Sequence, residues 1–317
     1  MSLTRVRSTV LRSEHECPVA IPYRLDLTVS ALRRLSSNLA DVLTPEGKYL
    51  RALGGLRELV IARVTQPDPA TLAISLEGDE REHARALAIV RRVLGVDRDL
   101  AQFDRAAAHI PWLKSLAERM HGVRPPRYPT LWEACVNAVV FQQISLIAAT
   151  AIMQRLIVAL GQSLVSDGFQ HYSFPSTASF LAADDDLLRA AGLSVGKLRT
   201  LRRVGEALAA GTLDETMLEQ HASPDAAAIL CGIKGIGPWT ADVILLRGLG
   251  RLDVFPMNDT SVTRNLALVS ASAAVDVEST LRALSPQQGM LYYHLLLARL
   301  EAQGDLGRPS APAWVGR

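Results

Sequence analysis

Cysteine is scarce in this chain. Its 317 residues include three, Cys17, Cys135 and Cys231, which lie far apart and form no CxxC pair. An odd number at this spacing indicates neither a disulfide framework nor a zinc or iron–sulfur site. We therefore expect buried or incidental thiols in a reducing compartment. Aromatic residues are also few, at 5%, whereas hydrophobic residues make up 49% and provide for sizeable cores.

The chain also lacks a strong charge excess and any long apolar run. Its 34 Lys and Arg residues nearly balance 32 Asp and Glu residues, which leaves a net charge of +2. A nucleic-acid or membrane partner must therefore be argued from a local site. No apolar stretch is long enough to span a bilayer, and charges throughout the N-terminal region argue against a signal peptide. We expect a soluble cytoplasmic protein, nucleoid-associated if bacterial, with no membrane partner.

Strand signals are confined to the first part of the chain. Residues 21–29 alternate apolar and polar side chains, which predicts a half-buried strand, and a helix is expected over 30–39. Residues 59–65 and 71–77 predict two strands joined by the turn QPDPA, which together form a hairpin. We expect a small mixed α/β domain over residues 1–100.

From residue 79 onward helical spacing replaces the strand signals, with Gly or Pro at the breaks. This predicts an all-helical domain with short connections over 101–303 and a loosely ordered tail over 304–317. The fold class is therefore α+β. The predicted helices are 81–94, 100–108, 131–160, 176–191, 197–210, 224–230, 238–249, 262–268, 277–284 and 286–303.

The stretch GIKGIGPWTADV, residues 232–243, predicts a hairpin between two helices. Pro238 suits the first position of a helix because its missing N–H has no partner there in any case. Gly235 and Gly237 allow positive φ and close approach of another backbone. The N–H groups of such a turn, next to a helix N-terminus, suit an anion such as a phosphate. A plain glycine turn between packed helices is the alternative.

A second stretch, LDVFPMNDTSV at 252–262, places Asp259 just before a predicted helix. Asp is a favoured N-cap residue, so Asp259 has a structural explanation. A carboxylate held at a helix N-terminus also stays ionised near neutral pH, and a fixed anion stabilises a developing cation. The two interpretations are compatible.

A resemblance to a known family extends over most of the chain. Its centre is GIKGIGPWTADVILLRGLGRLDVFPMNDTSV, residues 232–262, which resembles the helix-hairpin-helix and aspartate signature of the DNA glycosylase superfamily. Residues 122–149 (GVRPPRYPTLWEACVNAVVFQQISLIAA) and 173–211 are similar to segments of its DNA-3-methyladenine glycosylase II branch. That branch carries a small sheet-containing domain ahead of the helical one, so the resemblance implies this order for 1–100 and 101–303.

The resemblance implies one catalytic residue and one diagnostic residue. Asp259 falls on the family's catalytic aspartate, which stabilises the oxocarbenium-like sugar and helps to position the attacking water. Asn258 precedes it where some relatives have a second Asp. Trp239 occupies the position of the Schiff-base lysine of bifunctional relatives, and Lys234 does not match that position. Because indole cannot form an imine, a monofunctional glycosylase without AP lyase activity is implied.

A base pocket is implied as well. In the family a Trp at the position of Trp239 lines the pocket, and its π face attracts a cationic methylated purine; a core tryptophan is the alternative. Two aromatic residues of the best-studied relatives are absent, because Val243 and Gln287 stand in their places. The pocket is therefore less aromatic or is completed from elsewhere. Its expected lining is Trp239, Phe141, Tyr292, Tyr293 and Gln287.

Contacts to DNA are implied at two places. The N–H groups of Gly235, Ile236 and Gly237 would bind a phosphate, and the Thr240 hydroxyl could add to them. A loop would fill the gap left by the flipped nucleotide, with Gln143 or Ile144 as the wedge; glutamines on a helix surface are the alternative. The expected loop residues are Gln142, Gln143, Ile144 and Ser145.

Two further sets of groups give weaker indications of function. The carbonyl groups of Cys231, Ile233 and Ile236 match those that bind a structural Na+ or K+ in the family. Local basic clusters either meet phosphates or are solvated helix faces. Their members are Arg124, Lys197, Arg199, Arg202 and Arg203.

The function implied is excision of alkylated bases, of the 3-methyladenine and 7-methylguanine type, in base excision repair. Methylation at purine N3 or N7 makes the base cationic and a good leaving group, so a well-placed anion and a shaped pocket suffice and no catalytic cofactor is expected. The expected partner is double-stranded DNA containing damaged bases, bound by a monomer. Two alternatives stay open: a glycosylase for a deaminated or oxidised base, and a non-catalytic protein that binds damaged DNA.

Overall fold

The structure, a computed structural model, describes residues 11–54, 59–257, 259–269 and 275–308. Five strands form an antiparallel sheet in the order β1-β5-β4-β3-β2, and two more form a separate hairpin. The strands are β1 Leu11–Pro18, β2 Val42–Leu43, β3 Tyr49–Gly54, β4 Leu59–Asp68, β5 Thr71–Gly78, β6 Ser163–Ser166 and β7 Phe169–Tyr172. The β4–β5 hairpin confirms the prediction from the two strand patterns, and a bulge between Thr65 and Asp68 lets it close.

The predicted strand over 21–29 is wrong, because helix α1 (Leu25–Arg33) occupies most of it. Every residue of α1 is buried. The alternation of polar and apolar residues over 21–29 therefore does not mark one exposed and one buried face. The side chain of Gln66 fixes the start of the helix: its Oε1 accepts from Leu25 N–H at 3.0 Å and its Nε2 donates to the Tyr23 carbonyl at 2.8 Å. Because Gln66 is distant in sequence, the residues near Leu25 give no indication of these hydrogen bonds.

Helices make up most of the remaining chain, as the helical spacing predicted. They are α2 Glu80–Val93, α3 Ala101–Ala108, α4 Pro111–Arg119, α5 Leu131–Val140, α6 Leu146–Leu160, α7 Thr177–Ala182, α8 Asp185–Ala190, α9 Val195–Ala209, α10 Glu215–Glu219, α11 Ser223–Cys231, α12 Pro238–Ile244, α13 Thr260–Val269, α14 Val277–Leu284 and α15 Gly289–Gln303, with a π-helical turn at Leu245–Leu249 after α12. Among these, none combines the length and apolarity needed to cross a bilayer.

Several details of the helical part differ from the predictions. The helix predicted over 131–160 is two helices, α5 and α6, separated by a loop. The one predicted over 176–191 is also two, because the chain is extended at Ala183 and Asp184, before α8. Helix α4 was missed, and the β6–β7 hairpin interrupts a domain that was predicted to be all-helical. The α+β class is confirmed.

Sheet and helices are packed together rather than merely linked. One continuous hydrophobic core includes residues of the sheet and of α5, α9 and α12. Arg51 on β3 is buried and donates to Asp41 and to both carboxylate oxygens of Glu133 on α5, at 2.8 and 2.6 Å. The Arg51 guanidinium therefore links the sheet to α5, the helix that ends at Val140. The division near residue 100 stays a prediction.

The beginning of the predicted tail is held against α1. The Asp305 carbonyl accepts from the Arg33 guanidinium at 3.1 Å, and Gly307 N–H donates to the Ser30 hydroxyl at 2.9 Å. Residues 304–308 are thus anchored, contrary to the prediction of a loose tail there. Residues 309–317 lie outside the described part of the chain.

Candidate active site

The glycine hairpin, residues 232–237, joins α11 to α12 as predicted. Gly235 has a φ of +104°, and a Cβ at this position would overlap the side chain of Thr200 on α9. Glycine is therefore required both by the backbone conformation and by the packing. Gly237 differs, because its φ is −98° and nothing lies within 4 Å of an added Cβ. The expected use of positive φ holds for Gly235 alone.

Two of the three predicted N–H donors of the glycine hairpin are free. No described residue accepts a hydrogen bond from Gly235 N–H or Gly237 N–H. Ile236 is a correction: its side chain is buried and its N–H donates to the Ile233 carbonyl at 2.9 Å. The buried hydroxyl of Thr240 accepts from Gln142 at 2.8 Å, and its contact with a phosphate stays a prediction. A phosphate would meet the two glycine N–H groups.

Lone pairs remain free on the carbonyl groups predicted to hold a cation, and the cation itself stays a prediction. Within the described ranges no donor reaches the Cys231 or Ile236 carbonyl, and the Ile233 carbonyl accepts one hydrogen bond. Each oxygen therefore keeps a lone pair for a hard cation, which prefers oxygen ligands. The described residues contain no group of three or more His, Cys, Asp or Glu side chains that could hold another metal ion.

Asp259 lies at the start of α13 and is almost fully buried, with 8% of its surface exposed. Its Oδ1 accepts from Ser261 N–H at 2.8 Å, and its own N–H donates to the Pro256 carbonyl at 3.1 Å. These contacts fix the carboxylate at a helix N-terminus, where the backbone dipoles favour negative charge. No described residue donates to its second oxygen. Asn258 lies outside the described residues.

Tyr292, a predicted pocket residue on α15, is buried. Burial raises the pKa of its phenol, the cationic Arg34 and Arg247 oppose this, and the negative charge of Asp259 adds to the rise. Helix α15, which carries Tyr292, packs against both α1 and α13. This grouping joins α1, α13 and α15 at one place.

Two other predicted pocket residues are corrections. Tyr293 is fully buried, and its hydroxyl donates to the Pro126 carbonyl at 3.1 Å. Gln287 accepts from Phe103 N–H at 2.8 Å and donates to the Asp99 carbonyl at 2.8 Å, so its amide fixes the start of α3. Both side chains are used in packing and hydrogen bonding within the protein, which leaves neither available to a base.

Trp239 and Phe141 remain available to line a pocket. Trp239 is half-buried at the start of α12, and its indole Nε1 is buried without a hydrogen-bond partner among the described residues. Phe141 follows the last residue of α5 and is also half-buried. Trp239 also packs against the hydrophobic core, and its place in a base pocket stays a prediction.

The loop of residues 142–145, which we call the tip loop, separates α5 from α6, and three of its four residues are exposed. Gln143 is exposed and has a φ of 54°, a conformation that few residues other than glycine adopt. Ile144 is 38% exposed. Ser145 instead caps α6, since its hydroxyl accepts from Ala148 N–H at 3.2 Å. Gln143 and Ile144 therefore form the projecting tip.

Gln142 points back toward the glycine hairpin rather than outward. Its Nε2 donates to the Gly235 carbonyl at 3.1 Å and to the Thr240 hydroxyl at 2.8 Å. From the other side the Lys197 ammonium donates to the Val140 and Gln142 carbonyls at 2.8 and 2.9 Å. Burial lowers the pKa of Lys197. The tip loop and the glycine hairpin are thus one hydrogen-bonded unit.

The other predicted basic side chains divide into structural and exposed ones. Arg124 is buried and donates to the Ala20 carbonyl, while Arg202 donates to the carbonyls that end α7. Arg203 reaches the Lys234 carbonyl at 3.3 Å, behind the glycine hairpin. Arg199 is exposed. Arg124, Arg202 and Lys197 therefore serve the fold, and neither alternative weighed for the clusters describes them.

Arg34, which lies over the ring of Phe141, is a residue that the sequence patterns did not identify. It follows the last residue of α1 with a φ of 62°, and its guanidinium carbon lies 4.3 Å from the centre of the Phe141 ring. Only 7% of Arg34 is exposed. The sequence predicted a helix through this position and no pocket beside it, so no local signal could have identified the residue.

Known proteins resemble this chain in sequence and in fold. Residues 136–286 match the model of the HhH-GPD superfamily of base excision DNA repair proteins. The DNA-3-methyladenine glycosylase of Bacillus subtilis is 28% identical over 223 residues, which cover 69% of this chain and 73% of that protein. A probable bifunctional transcriptional activator/DNA repair enzyme AlkA of Mycobacterium tuberculosis is 31% identical over 227 residues, which cover 69% of this chain but 44% of that longer protein.

The fold likeness extends further along the chain than the family match does. The 3-methyladenine DNA-glycosylase from Archaeoglobus fulgidus superposes with a TM-score of 0.76, over 90% of this chain and 99% of that one. Sequence identity in this superposition is 21%, so the likeness concerns the fold. The order of an N-terminal sheet followed by a helical part is shared by both.

Proposed function

We propose that this chain, which carries a base excision DNA repair domain of the HhH-GPD superfamily, is a monofunctional DNA glycosylase that hydrolyses the N-glycosidic bond of alkylated bases. The observation that carries the proposal is Asp259, a buried carboxylate fixed at the start of α13 by Ser261 N–H. The name of one sequence relative, a DNA-3-methyladenine glycosylase, supports an alkylated base as the substrate.

The reaction follows from a fixed anion beside a sugar. The C1′–N bond breaks and its electron pair leaves with the base, so positive charge develops on the deoxyribose ring. The Asp259 carboxylate stabilises this charge without reorganisation, because its orientation is already set. A water molecule then adds to C1′ and loses a proton, which leaves an abasic site. A cationic methylated purine leaves as a neutral molecule, which makes this route favourable.

In this proposal the glycine hairpin binds the DNA backbone. The free N–H groups of Gly235 and Gly237 lie at the N-terminus of α12 and suit a backbone phosphate. A Na+ or K+ held by the carbonyls of Cys231, Ile233 and Ile236 would add positive charge there. The exposed Gln143 and Ile144 would enter the space of the flipped nucleotide. The protein would act as a monomer on double-stranded DNA in the cytoplasm, at the nucleoid if bacterial.

Replacing Gln142 with Ala should lower the single-turnover rate of base release about tenfold, since it removes two hydrogen bonds worth about 0.5–1.5 kcal/mol each. These bonds hold the tip loop against the glycine hairpin. The fluorescence of 2-aminopurine placed beside the lesion measures unstacking, and the variant should show less of it. Gln170→Ala, which removes an exposed amide on β7, is the control. An unchanged rate in Gln142→Ala would contradict the coupling.

The monofunctional chemistry rests on Trp239, which stands where bifunctional relatives have a nucleophilic lysine. Lys234 is exposed and lies before Gly235. We expect a duplex containing 7-methylguanine to yield the free base and an uncleaved abasic strand. Borohydride added during the reaction should trap no protein–DNA adduct, because no imine forms.

Chromatography of the released base and gel analysis of the strand measure these outcomes together. A covalent adduct would show that the chain is a lyase as well. Tight binding of the modified duplex without base release would instead favour the alternative of a non-catalytic protein. Release of a deaminated or oxidised base in place of 7-methylguanine would favour the other alternative, a glycosylase for such a base.

A further inference from the structure

A cleft of about 430 Å³, which we call the arginine cleft, lies beside the C-terminal end of α2. Four of its lining residues are arginines, three from α2 and the turn after it and one from the segment before α5. They are Arg91, Arg92, Arg98 and Arg127. Asp97 is the one acidic residue among the described residues that line the cleft. Cations gathered at a concave surface attract anions.

The guanidinium of Arg98 has no partner within the part of the chain that the structure describes. Its backbone N–H donates to the Gly95 carbonyl at 3.1 Å, but no described residue accepts a hydrogen bond from its side chain or pairs with its charge. Arg98 is nevertheless half-buried in the wall of the cleft. Arginine has five N–H donors in a rigid fork. These donors are therefore available to a ligand in the arginine cleft.

Two glycines let the arginines come close to the backbone that follows α12. Gly250 has a φ of +72°, and a Cβ there would lie 2.8 Å from Nη2 of Arg98 and 2.7 Å from Cδ of Arg127. The Gly248 carbonyl accepts from Nη2 of Arg92 at 3.1 Å and from Nε of Arg127 at 3.2 Å. The backbone therefore fixes two guanidinium groups and leaves room for a third beside them.

Carboxylates neutralise only part of the positive charge. The ion pairs are Arg91 with Asp97, Arg92 with Glu215, and Arg127 with Glu215 and Glu219. Burial lowers the pKa of Arg127 to about 10, and the neighbouring cations Arg92 and Arg98 act in the same direction while Glu215 opposes them. The Nε of Arg92 is buried without a hydrogen-bond partner among the described residues. Three carboxylates thus face four guanidinium groups, so positive charge stays in excess.

The arginine cleft is separate from the glycine hairpin. The free N–H groups of the hairpin precede Pro238 or lie next to it, whereas Gly248 and Gly250 lie at the far end of α12 and its π-helical turn. Residues 238–249 span about 18 Å at a rise of 1.5 Å per residue. A group bound in the arginine cleft is therefore not the one that the hairpin N–H groups would bind.

We propose that the arginine cleft is a second anion site, which binds a phosphate group through the free guanidinium of Arg98 and the fixed guanidinium groups of Arg92 and Arg127. The planar fork of arginine matches the geometry of phosphate oxygens and donates two parallel hydrogen bonds to them. The phosphate group belongs either to a free ion or to the backbone of a bound duplex. The inference does not depend on the proposed reaction, because it uses none of the residues of the candidate active site.

The test uses the full chain with two probes, inorganic phosphate and an unmodified DNA duplex. Titration calorimetry at constant ionic strength measures the affinity for inorganic phosphate, and fluorescence anisotropy at several salt concentrations measures the affinity for the duplex. We expect Arg98→Gln to lower the affinity for the probe that occupies the cleft about tenfold to hundredfold, the range for hydrogen bonds to a charged group. Arg98→Lys, which keeps the charge but loses the fork, should recover part of it.

Asp97→Asn should have the opposite effect, because it removes a negative charge from the lining of the cleft. The Arg91 guanidinium, which pairs with Asp97 at 2.5 Å, is then free to meet the phosphate group. The matched control is Arg105→Gln, which removes an exposed arginine on α3 and changes the net charge as Arg98→Gln does. It should leave both affinities unchanged.

The two probes distinguish the sources of the phosphate group. Weaker duplex binding by Arg98→Gln, with the slope of log K against log salt reduced by about one, would identify a backbone phosphate. Weaker binding of inorganic phosphate with unchanged duplex affinity would identify a free ion. Affinities within twofold of the wild type for both probes would overturn the site. An equal loss of affinity in Arg105→Gln would also overturn it, because the effect would then come from net charge alone.

Discussion

Asp259→Asn should lower the rate of base release by about 10²–10³-fold, the range seen when one group that stabilises transition-state charge is removed. Affinity for the modified duplex should stay within a few fold of the wild type. The substitution keeps the size of the side chain, and its carbonyl oxygen can still accept from Ser261 N–H, as Oδ1 does at 2.8 Å. The N-cap of α13 is therefore retained while the charge is lost.

The matched control is Asp253→Asn, which removes an exposed carboxylate from the segment before α13. It should release base at the wild-type rate, because that carboxylate lies in solvent. Single-turnover release of 7-methylguanine, together with fluorescence anisotropy of the same duplex, separates chemistry from binding. If the Asn variant at 259 retained more than about a tenth of the wild-type rate, a difference of less than about 1.4 kcal/mol, Asp259 would not be the stabilising anion.

Local patterns predicted those parts of the chain whose cause is local. The turn QPDPA lies between two β-patterned runs, and β4 and β5 do pair there. Pro238 and the glycines before it predicted the hairpin and the start of α12. Asp259 was expected at a helix start and is found there, bonded to Ser261 N–H. In each case the responsible atoms lie within a few residues of one another.

Other features depend on contacts between distant segments. Residues 21–29 resemble a strand, yet α1 forms because the structure surrounds it with apolar groups and caps it with Gln66. The helical spacing over 131–160 concealed the break at the tip loop, which Lys197 stabilises from α9. Periodicity reports burial and spacing, and it carries no information on which distant side chain will satisfy a backbone group.

The lining of the base pocket also depends on contacts between distant segments, and it was harder still to predict from the sequence. Aromatic residues were the natural candidates for its lining, but Tyr293 bonds to the Pro126 carbonyl and is fully buried. Arg34 reaches Phe141 from a segment more than a hundred residues earlier. A resemblance to a family can transfer a motif position by position, whereas a cation brought in by the N-terminal part has to be seen in three dimensions.

Gly235→Ala should disrupt the glycine hairpin and weaken DNA binding about a hundredfold, equivalent to about 2.8 kcal/mol. The added methyl would lie 2.9 Å from both Thr200 Cβ and Cγ2 and would overlap its hydroxyl, at a backbone φ of +104°. Overpacking costs about 1–3 kcal/mol, and the strained backbone adds about 1–3 kcal/mol. The hairpin can escape this cost by moving away from α9, which would displace both free N–H groups. Anisotropy titration of a duplex, with the midpoint of thermal unfolding, measures both consequences.

Gly237→Ala is the control for this prediction, because its φ is −98° and no atom lies within 4 Å of the added methyl. It keeps its N–H group and should unfold at the wild-type temperature. Thr200→Ala combined with Gly235→Ala removes the hydroxyl and Cγ2 from the collision and should recover part of the lost affinity. The backbone strain remains in that double variant, so recovery should be incomplete. Equal stability and affinity in Gly235→Ala and Gly237→Ala would mean that contact with α9 does not position the N–H groups for DNA.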